Sequence, residues 1–133
     1  MSLLVAGALA LSFQSTPADL GYDVFSLGGC DQAGWAHDEE AAYAHAQTAL
    51  EASGLTQTQF EAELNAGFER AMAEFRTRQN AITNRAEAIA FIQTLEARCE
   101  ALTGAYPEIL TRTSETDAAW SDYSRRVAGA APD

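Results

Sequence analysis

The chain contains no lysine, so its eight basic residues are all arginine, and each of them lies at position 70 or later. The absence of lysine excludes a phosphate-binding loop of the Gly-Lys-Ser or Gly-Lys-Thr type. Residues 1–69 carry ten acidic residues and no basic one, and the formal net charge is −11. Because such a charge disfavours contact with phosphate backbones and anionic lipid, we predict that no nucleic acid is bound.

Proline is scarce as well, with three copies at positions 17, 107 and 132. The long stretch between the first two therefore lacks the strongest helix breaker. Alanine, the best helix former, occurs 28 times, and no segment shows the alternating pattern of a strand. With 133 residues the chain has room for one domain, and we predict an all-α fold.

The spacing of apolar residues predicts a small bundle of about four helices over residues 34–127. An irregular lead-in is predicted for residues 11–33, where glycines interrupt the periodicity, and a frayed tail for residues 128–133. The predicted helices cover residues 34–53, 56–80, 83–104 and 107–127.

Capping residues mark several of these helix ends. Thr56 and Gln59 form a capping-box pattern at the start of the second helix, and Gly54 is expected to end the first in a left-handed conformation. Pro107 is placed in the first turn of the fourth helix, where its missing N–H costs nothing. Short connections between the helices favour antiparallel neighbours.

The N-terminus carries a short apolar run, Leu3 to Leu11, and Ala8-Leu9-Ala10 has the small-x-small pattern of a signal-peptidase site. We therefore predict that residues 1–10 are a signal peptide and that the protein is exported, either to a bacterial-type periplasm or into the medium. The run is shorter than the roughly 20 residues of a spanning helix, so no transmembrane anchor is predicted. Because no basic side chain precedes the run, a cytoplasmic protein that keeps it as a core element is the alternative.

Two cysteines are present, Cys30 and Cys99, and in an oxidising compartment an even count favours a disulfide between them. In the cytosol the same pair would stay reduced. A second alternative is lipidation of Cys30, since Leu27-Gly28-Gly29 precedes it in the manner of a lipobox. Asp19 and Asp23 argue against that reading, because carboxylates are costly in a membrane-inserting segment.

No catalytic, metal-binding or cofactor-binding residue is predicted. His37 and His45 are the only histidines, and eight residues at 100° each place them about 80° apart on a helix and two turns away. Paired carboxylates such as Glu96 and Glu100 fall off the apolar stripe and are expected to be solvated. We therefore predict that the protein is not an enzyme.

Two groups of side chains are candidates for binding. Four arginines near the turn between the second and third helices form a possible partner surface: Arg70, Arg76, Arg78 and Arg85. Six aromatic residues are expected in the core and are candidates to line a ligand cavity: Phe60, Phe68, Phe75, Phe91, Trp120 and Tyr123.

These patterns favour a non-enzymatic, exported binding protein that presents an acidic helical surface to a basic partner, as an inhibitor, chaperone or assembly factor does. One alternative is a carrier of a small ligand or metal in the interior of the bundle. Another is an enzyme whose site is assembled only by the fold.

Overall fold

The computed structural model describes residues 16–132, and within them lie five α-helices and two very short strands. The predicted small all-α fold is therefore confirmed. The predicted signal peptide, residues 1–10, lies outside the described residues. The elements are α1 (Pro17–Gln32), β1 (Ala36–His37), α2 (Glu39–Ser53), α3 (Gln57–Asn80), α4 (Arg85–Ala105), β2 (Leu110–Thr111) and α5 (Ser114–Ala130).

Helix α1 replaces most of the predicted irregular lead-in, and that prediction is wrong for residues 17–32. The helix begins with a complete capping box, in which the Thr16 hydroxyl accepts from the Asp19 amide and the Asp19 carboxylate accepts from the Thr16 amide. Pro17 occupies the first turn, where its fixed φ suits a helix start. These local signals outweigh the helix-weakening effect of the glycines.

Two glycines are instead contact points between α1 and α3. A methyl group added at Gly21 would lie 1.8 Å from the main-chain oxygen of Leu64. One added at Gly67 would lie 1.7 Å from the main-chain oxygen of Ala18. The backbones of the two helices therefore touch at this crossing, and a side chain at either position would hold them apart.

The C-terminal end of α2 and both ends of α3 and α4 lie within two residues of the predicted ones. Gly54 is left-handed, with φ of 71°, and Thr56 and Gln59 form both halves of the capping box that starts α3. Asn84 caps α4 by accepting from the Glu87 amide. The first predicted helix starts later than expected, because Asp38 caps α2 and Gly34 turns the chain with φ of 110°.

The predicted helix over residues 107–127 is wrong in its first part. Leu110 and Thr111 form β2, which pairs antiparallel with β1 in the register His37 to Leu110. Ile109 and Leu110 are both buried, and the extended backbone lets them enter the core before α5 begins. Helix α5 then runs to Ala130, three residues beyond the predicted end.

Cys30 and Cys99 form the predicted disulfide, with their Cα atoms 5.8 Å apart. The bridge joins α1 to α4, and both residues are fully buried. Since the sulfur of Cys30 is bonded to Cys99, it is not available for lipidation. Around the bridge lies the apolar core, which contains Leu20, Leu27, Trp35, Phe60, Ile92, Leu102, Tyr106, Ile109, Leu110 and Trp120.

Candidate functional site: an aromatic groove

An open cavity of about 600 Å³ lies between α1, α3 and α4, with Tyr123 of α5 on its wall. We call it the aromatic groove, because four half-buried phenylalanine rings contribute to its lining. These are Phe25 of α1, Phe68 and Phe75 of α3, and Phe91 of α4.

The phenylalanines form a connected row. The ring centre of Phe25 lies 5.3 Å from that of Phe68 and 5.7 Å from that of Phe75, both edge to face. Phe75 contacts Phe91 in the same way at 5.4 Å. Phe68 and Phe75 are seven residues apart, so they share one face of α3. The edge-to-face contacts stabilise the row while leaving part of each ring open to the groove.

A polar cluster, defined as Tyr22, Glu74, Arg78 and Arg98, interrupts this apolar lining. The Tyr22 hydroxyl donates a hydrogen bond of 2.5 Å to Oε2 of Glu74. The same oxygen lies 3.9 Å from Nη2 of Arg78. The guanidinium carbon of Arg98 lies 5.5 Å from the centre of the Tyr22 ring, within cation–π range.

The environment of Tyr22 raises its pKa above the usual value near 10. The main cause is the hydrogen bond to the Glu74 carboxylate, followed by burial and by the negative charge of Glu74. At neutral pH the hydroxyl is therefore protonated and acts as a donor to Glu74. This leaves the two arginines as the cationic groups of the cluster.

The carboxylate of Asp23 holds the guanidinium of Arg98 in place. Its Nη2 lies 2.5 Å from Oδ1 of Asp23, and the other carboxylate oxygen of Asp23 accepts a hydrogen bond of 2.5 Å from the Tyr106 hydroxyl. Asp23 is mostly buried, with 19% of its side chain exposed. A buried carboxylate with two charge-assisted or phenolic partners orients Arg98 firmly at the wall of the groove.

The four arginines predicted as a partner surface do not form one surface in the structure. Arg70 and Arg78 lie two turns apart on α3 and about 80° around it, and both approach Tyr22. Arg76 is exposed on another face, about 120° from Arg70. Arg85 is the first residue of α4. Arg98, which was not predicted, completes the cationic side of the groove instead.

The predicted aromatic set is divided in a similar way. Phe68, Phe75, Phe91 and Tyr123 line the groove, whereas Phe60 and Trp120 are buried in the core. The sequence reasoning missed the contribution of α1, including Phe25 and Tyr22, because it treated that segment as irregular. The i, i+3 spacing of these two aromatic residues was the signal that pointed to a helix.

The other candidates for chemistry lie elsewhere. His37 is in β1, and the ring of His45 on α2 packs edge-on against Tyr106 at 5.2 Å. Glu96 and Glu100 both form ion pairs with Arg112, which also contacts Asp117. Within residues 16–132 no three His, Cys, Asp or Glu side chains are grouped so as to hold a metal ion. No helix in the same range is long and apolar enough to cross a membrane.

One serine, Ser26, is among the described residues that line the groove. Its hydroxyl donates a hydrogen bond of 3.3 Å to the main-chain oxygen of Tyr22. Asp31, Gln32 and Thr94 also contribute polar groups to the lining, outside the polar cluster. Comparison of the chain with protein-family models, with curated proteins and with solved structures finds no match in any of the three.

Proposed function

We propose that the protein binds a small, mainly apolar molecule in the aromatic groove and acts as a carrier, without catalysing a reaction. The observation that carries this proposal is the groove itself, about 600 Å³ in volume and lined by four half-buried phenylalanines. Small-molecule sites in proteins have volumes of about 300–1,000 Å³ and combine apolar walls with a few polar groups. The groove has both properties.

The apolar character of the ligand follows from the wall. Water in contact with Phe25, Phe75, Phe91 and Leu95 finds few hydrogen-bond partners there. Transfer of apolar surface from water onto these rings contributes roughly 25 cal/mol for each Å² buried. A polar molecule would gain little from the same surface.

We further propose that the carrier acts after export, in a periplasm or outside the cell. Two observations support this: the Cys30–Cys99 bridge, which persists in oxidising compartments, and the small-x-small pattern at Ala8-Leu9-Ala10 that follows an apolar run. A carrier of poorly soluble molecules is useful in such a compartment, because these molecules must cross water between membranes or cells.

The proposal is tested with the neutral fluorescent probe N-phenylnaphthylamine, which brightens in apolar sites. Thr94→Trp places a large ring in the groove from an exposed position of its lining and should weaken probe binding by about tenfold or more. Gln93→Trp is the matched control, because Gln93 is the exposed neighbour on α4 that does not line the groove. Equal probe binding by both variants would contradict the proposal, as would the absence of binding to the unmodified chain.

Helix α2 supports a second candidate function, docking to a basic protein. Its acidic residues Glu39, Glu40 and Glu51 are exposed, and none forms an ion pair with another described residue. Tyr43 lies on the same helix, and 69% of its surface is exposed. A partner captured from periplasmic extract at low salt and released at high salt would support this function. Recovery of the protein alone at low salt would count against it.

A further inference from the structure

We infer that the ligand of the aromatic groove is an amphiphile of the fatty-acid type, whose carboxylate is bound by Arg78 and Arg98 of the polar cluster. This inference rests on the proposed function, because it names the class of molecule that the groove accepts. It also assigns a binding role to two arginines that line the cavity.

Arg78 has hydrogen-bond donors to offer. Its contact with Glu74 is 3.9 Å long, beyond hydrogen-bond distance, and 56% of its side chain is exposed. The nearer oxygen of Glu74 already accepts the short hydrogen bond from Tyr22. An incoming carboxylate can therefore bind the guanidinium of Arg78 without first displacing a close partner.

Arg98 offers a second, better oriented guanidinium. One of its terminal nitrogens is bound to Asp23, which anchors that end of the guanidinium. An arginine has five N–H donors, and those not used by Asp23 are available on the side of Tyr22 and the groove. The planar fork of arginine suits a carboxylate, since two parallel hydrogen bonds form at once.

The distribution of charge sets the direction of the ligand. Asp31 also lines the groove, nine residues beyond Tyr22 on α1 and thus roughly 13 Å along the helix. Arg78 and Arg98 offset the negative charges of Glu74 and Asp23, whereas Asp31 forms no ion pair with another described residue. An anionic head group is therefore repelled near Asp31, and it gains charge-assisted hydrogen bonds at Arg78 and Arg98. The apolar chain then lies along Phe25, Phe75 and Phe91. A molecule with one charged end and one apolar chain therefore matches both parts of the groove.

The test compares lauric acid with its neutral methyl ester as displacers of N-phenylnaphthylamine from the full chain. We expect lauric acid to displace the probe at a concentration about tenfold lower than methyl laurate, because charge-assisted hydrogen bonds form only with the acid. Arg78→Gln and Arg98→Gln should each reduce this preference to roughly threefold or less. The preference is the ratio of the two displacing concentrations for the same variant, so a change in its probe affinity cancels. Circular dichroism and cooperative urea unfolding show that each variant is folded.

Arg76→Gln is the matched control, since Arg76 is an exposed arginine of the same helix that does not line the groove. It should keep the full preference for lauric acid. Equal displacement by the acid and the ester in the unmodified chain would overturn the inference and leave the proposed function intact. Preference for laurylamine over both would also overturn it, and would assign the head group to Glu74 and Asp31. Failure of the neutral probe to bind would remove the proposed function itself.

Discussion

Gly21 and Gly67 set the distance between α1 and α3. Each lies against a main-chain oxygen of the other helix, and backbone atoms cannot move aside as the end of a flexible side chain can. The close approach brings Phe25 against Phe68 and Phe75, and so it also shapes the wall of the groove.

Gly67→Ala should therefore lower the free energy of unfolding by roughly 2–3 kcal/mol, because the added methyl group forces the two helices apart. Gly104→Ala is the control: Gly104 is also helical, and a methyl group there meets no atom within 4 Å. That variant should be neutral or stabilised by about 0.5–1 kcal/mol. Urea unfolding measures both, and similar effects of the two substitutions would argue against the crossing.

A second prediction at the residue scale concerns the titration of Tyr22. Its pKa is raised in the folded protein, mainly by the hydrogen bond to Glu74, so the folded state holds this proton more tightly than the unfolded state. The stabilising contribution is complete below the unfolded pKa near 10, and it is lost as the pH rises through the folded value.

In a spectrophotometric titration, the absorbance difference between the unmodified chain and Tyr22→Phe should have its midpoint above pH 10. Glu74→Gln should lower that midpoint, because it removes the negative acceptor. A midpoint at or below 10 for Tyr22 would show that the hydrogen bond to Glu74 does not form in solution.

At the scale of elements, the disulfide attaches α1 to the rest of the fold. Helix α1 contacts α3 through its small residues and α4 through Cys30, and it supplies both Tyr22 and Phe25 to the groove. Its first turn is closed by a capping box, and its small residues pack closely against α3. The disulfide adds a covalent link to α4, a helix that this crossing does not involve.

Replacement of both cysteines, Cys30→Ala with Cys99→Ala, should lower the free energy of unfolding by roughly 4 kcal/mol, since the bridge closes a long loop in the unfolded chain. Urea unfolding of the variant and of the oxidised protein gives the difference. Because both sulfurs are buried, dithiothreitol should reduce the native protein far more slowly than the unfolded protein. A change below about 1 kcal/mol would mean that α1 needs no covalent attachment.

At the scale of the whole molecule, the acidic helix α2 does not contribute to the lining of the aromatic groove. The acidic first half leaves α2 with a solvated negative face, whereas both arginines that line the groove come from the second half, on α3 and α4. The high net charge keeps the protein soluble even though half-buried phenylalanines line an open cavity.

Export is tested by the intact mass of the protein expressed in a bacterium with its own N-terminus. We expect a chain that begins at Leu11 and gains two hydrogens when it is denatured and reduced. A full-length mass with free thiols would instead support the cytoplasmic alternative. A mass that includes residues 1–10 and still increases by two hydrogens on reduction would confirm the disulfide and contradict the predicted signal peptide.

The sequence by itself determined the features that depend on neighbours a few residues away. The α-helical class, the Gly54 turn and the Thr56–Gln59 box follow from propensity and hydrogen bonds within one turn. The two cysteines allow one intramolecular pairing, which was predicted for an oxidising compartment beside the alternatives of reduced thiols and a lipidated Cys30. Charge and composition required no structure at all.

Only the tertiary structure decided how the helices meet. Whether Gly21 breaks a helix or permits a close crossing depends on the backbone of α3, which is distant in sequence. The extended backbone at Leu110 depends on β1, and the groove depends on Tyr22, Phe25 and Arg98 arriving beside Phe75. The reason is physical: periodicity records which face of an element is apolar, whereas contacts between elements depend on distances that a linear pattern does not encode.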